Sequence, residues 1–146
     1  MVNYWDTSAI VPLLVQEIDS AQRQRELRQS GPLVTWWGTA TELVSAIARR
    51  HREGLLPNPQ LKLTKARLDA LQEQWVRVMP VEPLIRRAER LLWLHPLRAA
   101  DAMQLAAALI ACREDTRQCE FYCADQRLLE AATREGFVIR SSKNQT

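Results

Sequence analysis

The stretch Arg98–Arg113, RAADAMQLAAALIACR, is the strongest structural signal in this sequence of 146 residues. Its spacing predicts a helix that is apolar on two sides. Only one polar side chain, Gln104, occurs among the eleven residues that follow Asp101. A helix with so much apolar surface has to be buried against a large partner, most simply a sheet. This stretch therefore predicts an α/β fold.

Short runs of β-forming residues lie on both sides of this helix, and predicted helices separate each run from the next. The predicted strands are Val2–Trp5, Leu33–Thr35, Val76–Val81, Glu120–Ala124 and Phe137–Ile139. The order β-α-α-β-α-α-β-α-α-β-α-β favours parallel strands joined by right-handed crossovers. We expect a three-layer α/β/α sandwich with a central parallel sheet of about five strands.

Length and composition predict a single domain over residues 1–140, followed by a flexible tail over residues 141–146. Hydrophobic residues make up 47% of the chain and charged residues 25%, as in ordinary globular domains. The N-terminus lacks the basic region of a signal peptide, and no apolar run approaches the roughly 20 residues of a membrane span. With three cysteines expected to stay reduced, of which Cys112 and Cys123 are expected to be buried, we predict a cytoplasmic protein.

The net charge is only +3, but arginine supplies 17 of the 20 basic residues. Arginine binds phosphate with a planar fork, so this composition permits a nucleic-acid partner, although an arginine-rich proteome from GC-rich DNA is the preferred explanation. Arg49, Arg50 and Arg52 end one predicted helix, and Arg127 begins another. We consider them candidate RNA contacts; the alternative is that they are ordinary charges at helix ends.

Four acidic residues stand at positions where a site is expected. Asp6 and Asp125 follow predicted strands, and ligands bind beyond the carboxyl ends of parallel strands. Glu42 and Asp101 lie in the first turns of the two most apolar helices. Each acid alone could be a helix cap or a turn residue. A partly buried Asp101 needs a cation, however. Arg98 could supply one locally, and Mg²⁺ or Mn²⁺ could do so better if the other three carboxylates converge on it.

The adjacent tryptophans Trp36 and Trp37 form an unusual aromatic pair. Consecutive residues of an extended chain face opposite ways, so we expect one ring inside and one exposed. The exposed ring could contact a second copy of the chain, a protein partner or a stacked base.

Four segments together resemble a PIN domain and, within that superfamily, a VapC-type toxin ribonuclease of a type II toxin–antitoxin system. They occur in the family's order and spacing and extend over most of the chain. The segments are DTSAIVPLLVQE at 6–17, TATELVSAIARRHREG at 39–54, LRAADAMQLAAAL at 97–109 and YCADQRLLEAA at 122–132.

The resemblance implies a PIN-like sandwich whose acidic pocket holds Mg²⁺ or Mn²⁺. It assigns Asp6, Glu42, Asp101 and Asp125 to that pocket as catalytic, metal-binding acids, with Ser8 beside the first Asp to hold a water or ligand. It implies a homodimeric endoribonuclease that cleaves structured RNA, such as tRNA or ribosomal RNA, and is inhibited by a VapB-like antitoxin.

Other functions stay open. A PIN-like scaffold could bind RNA or a protein without cutting. A phospho-receiver needs a strand-end lysine near its acids, and none occurs between Lys65 and Lys143. A phosphatase of the haloacid dehalogenase type needs DxDxT, whereas Asp6 is followed by Thr7 and Ser8. Endoribonuclease activity is the function that we expect.

Overall fold

The computed structural model describes residues 1–142, which form the predicted order of strands and helices with one additional 3-10 turn at Thr116–Gln118. The strands are β1 (Val2–Trp5), β2 (Leu33–Trp36), β3 (Val76–Val78), β4 (Cys119–Cys123) and β5 (Val138–Ser141). The helices are α1 (Thr7–Leu14), α2 (Ser20–Gln29), α3 (Thr39–Arg52), α4 (Asn58–Gln74), α5 (Glu82–Leu94), α6 (Ala99–Ala111) and α7 (Gln126–Arg134).

The five strands form one parallel sheet in the order β3-β2-β1-β4-β5. The chain adds strands in one direction from β1 to β3 and then continues on the other side of β1 with β4. Beyond the carboxyl ends of β1 and β4 lies the point where the strand order reverses, which is the usual ligand position in open parallel sheets. Asp6 lies there, and its backbone N–H donates to Tyr122 O at 2.9 Å.

Helices cover both faces of the sheet, which confirms the predicted three-layer α/β/α sandwich. Side chains of α5, α6 and α7 pack on one face and those of α1, α3 and α4 on the other. The alternation of β1 fills both cores. Tyr4 stacks on Phe121 in the first core, with ring centroids 5.4 Å apart, and Trp5 stacks on Tyr122 in the second at 4.3 Å.

Helix α6 is the buried helix that its sequence predicts. All six residues Gln104–Leu109 are buried. Its alanines let the helix approach the sheet closely, because they present almost no side-chain volume. A large cluster of buried hydrophobic residues surrounds this helix.

Strands β3 and β5 end at residues other than those predicted. Strand β3 stops at Val78, since Pro80 has no N–H with which to continue the ladder. Strand β5 extends to Ser141, and Ser142 is buried, so the predicted flexible tail is wrong for these two residues. Pairing with β4 holds this segment, which the apolar pattern ending at Ile139 did not reveal. Residues 143–146 of the predicted tail lie outside the described residues.

Burial supports several smaller predictions. Cys112 and Cys123 are buried, as is Cys119. Trp36 lies in the core, while Trp37 is 48% exposed, so the expected inside–outside pair is confirmed. In residues 1–142, no helix is both long and apolar enough to cross a membrane.

Candidate active site

The four predicted acids lie at the edge of the sheet formed by the carboxyl ends of its strands, where their charges affect one another. Asp6 is the N-cap of α1, Asp125 is the N-cap of α7, and Glu42 and Asp101 lie in the first turns of α3 and α6. The charges of Glu42 and Asp125 raise the pKa of Asp6. In the same way, the charge of Asp101 raises the pKa of Glu42, and the charge of Asp125 raises the pKa of Asp101. We call these four residues the acidic edge.

Asp6 is the most buried member of the acidic edge, with 5% of its surface exposed. Its Oδ2 accepts from the Ser8 backbone N–H at 3.0 Å, from the Ser8 hydroxyl and from the Cys123 thiol. Burial raises its pKa to about 6, and the charges of Glu42 and Asp125 add to this, against the opposing effect of the Ser8 hydrogen bonds. Its negative charge is therefore costly when no cation is present.

Ser8 fixes Asp6 relative to β4. Its hydroxyl donates to Asp6 Oδ2 and accepts from the Ala124 backbone N–H at 2.8 Å. The structure thus assigns Ser8 a bridging contact within the protein. The predicted role in holding a water or ligand stays a prediction.

Glu42 is held by two side-chain donors on the same oxygen. Its Oε2 accepts from the Thr7 hydroxyl at 2.6 Å and from the Gln104 amide at 2.8 Å. Burial raises the pKa of Glu42 and the charge of Asp101 adds to this, while the two hydrogen bonds act in the opposite direction.

Asp101 and Asp125 each stabilise the start of a helix. Asp101 Oδ2 accepts from the Arg98 backbone N–H at 3.3 Å, and Asp125 Oδ1 accepts from Leu128 N–H at 3.2 Å. Asp101 is half-buried, as predicted, whereas Asp125 is exposed. Burial and then the charge of Asp125 raise the pKa of Asp101, and the Arg98 and Arg127 guanidinium groups partly offset this.

Each carboxylate of the acidic edge therefore has one oxygen that is held by the protein. Within residues 1–142, the second oxygen of each accepts no hydrogen bond, and no basic side chain forms an ion pair with any of the four. The free oxygens are Asp6 Oδ1, Glu42 Oε1, Asp101 Oδ1 and Asp125 Oδ2. A donor set made only of carboxylate oxygens fits a hard cation such as Mg²⁺ or Mn²⁺.

A metal ion held by these acids would have to keep part of its water shell. Among the described residues, no three His, Cys, Asp or Glu side chains are grouped as a metal ion would require. Mg²⁺ keeps several waters and commonly binds one or two carboxylates directly, so the remaining acids can contact it through water.

A cleft of about 540 Å³ opens beside Asp101 and Asp125. Arg98, Gln126 and Arg127 form the rest of its wall. Arg98 and Arg127 are exposed, and neither guanidinium forms an ion pair within the described part of the chain. The cleft thus places two free cationic forks next to two carboxylates, an arrangement that suits a phosphate group bound beside a metal ion.

The other predicted arginines lie away from this cleft. Arg49, Arg50 and Arg52 are at the carboxyl end of α3, about 10–15 Å along the helix from Glu42. Arg50 donates to Glu17 at 2.6 Å. The structure brings Arg127 to the acidic edge but not these three residues.

Sequence reasoning missed the polar residues that hold the acids. Gln104 is buried and contacts Tyr4, Thr7, Thr39 and Glu42. The signal was present, because a single amide in an otherwise apolar helix needs buried partners. Its partners are distant in sequence, so the pattern alone did not identify them.

Comparisons with known proteins show the fold. No family model matches the chain, and no curated protein matches it. The crystal structure of PAE2754 from Pyrobaculum aerophilum superposes with a TM-score of 0.67 at 16% sequence identity, covering 95% of this chain and 89% of that one. The two proteins therefore share an architecture along nearly their whole lengths.

Proposed function

We propose that the protein is a Mg²⁺- or Mn²⁺-dependent endoribonuclease of the PIN type that hydrolyses phosphodiester bonds in RNA. The observation that carries this proposal is the acidic edge. Four mutually repelling carboxylates lie where the strand order reverses, and each keeps one oxygen free of protein donors. None forms an ion pair with a basic side chain in the described residues, and this supports an external cation as their counter-charge.

Different residues of this chain would bind the ion and the RNA. Asp6, Glu42, Asp101 and Asp125 would hold the hydrated ion through their free oxygens. Arg98 and Arg127 would bind phosphate oxygens of the RNA in the adjoining cleft. When bound, a divalent ion supplies Lewis acidity toward the phosphate and lowers the pKa of an attacking water.

The acids also control protons at the site. Free carboxylate oxygens accept hydrogen bonds from water and so orient it toward phosphorus. Asp6, with a pKa of about 6, is ionised above that pH and can bind the ion there. Below it, a proton competes for the same group.

The finer assignment rests on the resemblance of four segments to VapC-type toxins. On that basis the protein would be the toxin of a toxin–antitoxin pair in the cytoplasm, with tRNA or ribosomal RNA as its substrate. The same resemblance favours a homodimer and inhibition by a VapB-like antitoxin.

A second candidate is a PIN-like module that binds RNA or a protein without cutting. The observation in its favour is that no three metal-ligating side chains are grouped within residues 1–142. The absence of ion pairs between the acidic edge and other residues of 1–142 favours the nuclease, because a binding module has no need of four unneutralised carboxylates.

The test is RNA cleavage by the purified protein, with total tRNA and ribosomal RNA as substrates. We expect internal cuts that require Mg²⁺ or Mn²⁺, stop with EDTA and are lost in Asp101→Asn. Asp69→Asn is the matched control, because Asp69 is an exposed helical acid on α4. RNA binding without metal-dependent cuts would favour the module instead.

A further inference from the structure

Gln104 is the only polar side chain of α6 that is buried beneath the acidic edge, with 1% of its surface exposed. Its Oε1 accepts from the Tyr4 hydroxyl at 2.5 Å. Its Nε2 lies 2.9 Å from Thr7 Oγ1, 3.0 Å from Thr39 Oγ1 and 2.8 Å from Glu42 Oε2. One amide thus connects β1, α1, α3 and α6.

The orientation of this amide follows from its partners. Thr35 donates to Trp5 O at 2.7 Å and has no second proton, so Thr39 donates across its 2.8 Å contact with Thr35. Thr39 therefore accepts from the Gln104 amide. The reversed amide would also set its carbonyl oxygen against the Glu42 carboxylate.

The same contacts fix which oxygen of Glu42 is available. Its Oε2 accepts from both Thr7 and Gln104, whereas Oε1 accepts from nothing in the described residues. A half-turn of the carboxylate would give the same arrangement, because its two oxygens are equivalent: one oxygen is held by both donors and the other is free. Glu42 therefore has a single oxygen that is available to a ligand.

We infer that Gln104 is a positioning residue for Glu42, holding Oε2 so that Glu42 binds the divalent cation through Oε1 alone. The inference rests on the proposed function, since it assumes a cation at the acidic edge. It goes beyond that function by giving a buried amide that cannot reach the ion a defined part in its binding. Outer contacts of this kind orient metal ligands in many proteins.

Gln104→Met tests the inference because methionine has a similar shape but no amide. We expect Mn²⁺ binding, measured by calorimetry or electron paramagnetic resonance, to weaken about 10- to 100-fold. Thr64→Val is the control, since Thr64 is equally buried and its contact with Leu14 O at 3.4 Å is made away from the acidic edge. This control should keep its Mn²⁺ affinity even if its melting temperature falls.

A double-mutant cycle separates positioning from general support of the fold. In the Glu42→Gln background, Gln104→Met should change Mn²⁺ affinity less than about twofold, because its target carboxylate is gone. A purely structural Gln104 would lower affinity equally in both backgrounds. If Gln104→Met does not fold, Thr7→Val removes the other donor to Oε2 and should weaken Mn²⁺ binding in the same Glu42-dependent way.

The outcomes keep the two proposals apart. Wild-type Mn²⁺ affinity in both Gln104→Met and Thr7→Val, or equal losses in the two Glu42 backgrounds, would overturn the positioning role and leave the nuclease intact. A wild-type protein that binds no Mn²⁺ and cuts no RNA would overturn the proposed function itself.

Discussion

Glu120 lies on β4 and Asp6 directly follows the neighbouring strand β1, but the two carboxylates have opposite electrostatic surroundings. Glu120 accepts from Arg140 at 2.8 Å and from the Tyr122 hydroxyl at 2.7 Å, and Arg140 lowers its pKa. Asp6 has no basic partner within the described chain, and burial raises its pKa to about 6. The protein supplies a counter-ion for Glu120 and none for Asp6.

The difference distinguishes a structural carboxylate from one available to a ligand. In Asp6, Asp101 and Asp125, one carboxylate oxygen accepts a backbone N–H at the start of a helix, which is an ordinary capping interaction. They do not explain why three capping acids and Glu42 share one edge of the sheet and remain unpaired. The proposed external cation would account for both features.

Among the changes that test this comparison, Asp6→Asn should have the largest effect, which is on RNA cleavage. We expect RNA cleavage to fall by at least about 10²- to 10³-fold, because several kcal/mol of charge stabilisation depend on the ion. The folded structure should persist, since asparagine removes a buried charge. Initial rates at saturating Mg²⁺, with circular dichroism as a check on folding, measure this.

Glu120→Gln is the matched control for Asp6→Asn, because each replaces a carboxylate by its amide, one on β4 and one directly after the neighbouring strand β1. Its cleavage rate should equal that of the wild type. Comparable losses in the two variants would show that cleavage reports sheet integrity and not the acidic edge.

The pH dependence of stability should be the next largest effect. Folding raises the pKa of Asp6 from 3.8 to about 6, so between these values the folded protein holds a proton that the unfolded chain releases. The contribution of Asp6 to stability is present below about pH 4 and is lost as pH rises through 6. The loss amounts to up to about 3 kcal/mol.

Urea unfolding in EDTA at pH 4.5 and at pH 7.5 measures this loss. The wild type should lose more stability than Asp6→Asn over this range, and Mg²⁺ at pH 7.5 should restore part of it to the wild type alone. Identical pH profiles for the two proteins would contradict the effect of burial on Asp6.

Arg127→Ala should have a moderate effect. Removing one charge-assisted contact to phosphate should raise KM for RNA about tenfold and leave Mg²⁺ binding nearly unchanged. Arg86→Ala is the control, because Arg86 is an exposed helical arginine that pairs only with Glu82 in the described chain. A KM that is equal in both variants would remove Arg127 from the substrate site.

The smallest effect should be that of Glu120→Gln on stability. Arg140 is 52% exposed, so solvent screens the pair, and its loss should cost only about 0–1 kcal/mol. Urea unfolding at pH 7.5 measures it. If Glu120→Gln lowered the free energy of unfolding as much as the pH change does through Asp6, the contrast between the paired Glu120 and the unpaired Asp6 would be contradicted.

The sequence predicted the layers well because each depends on local periodicity. The apolar stretch of α6 and each β-forming run are patterns that a short window of sequence shows, and the structure confirms their order. Strand ends were less predictable. Ser141 belongs to β5 through its pairing with Cys123, and its own polar side chain gives no sign of this contact.

The positions of the acids were predictable from topology for Asp6 and Asp125 and from burial for Asp101. The assignment of Glu42 depended on the family resemblance. The network around Gln104 was not predictable, because it joins residues separated by 62 to 100 positions. Only the folded sheet brings Tyr4, Glu42 and Gln104 together.

The most direct test of the account is the melting temperature of the wild type and of Asp101→Asn at pH 7.5, each with and without Mg²⁺. A cation that relieves repulsion at the acidic edge should raise the melting temperature of the wild type in a saturable manner. Asp101→Asn should respond much less. Equal Mg²⁺ shifts in the two proteins, or no shift in the wild type, would contradict a metal site at the acidic edge.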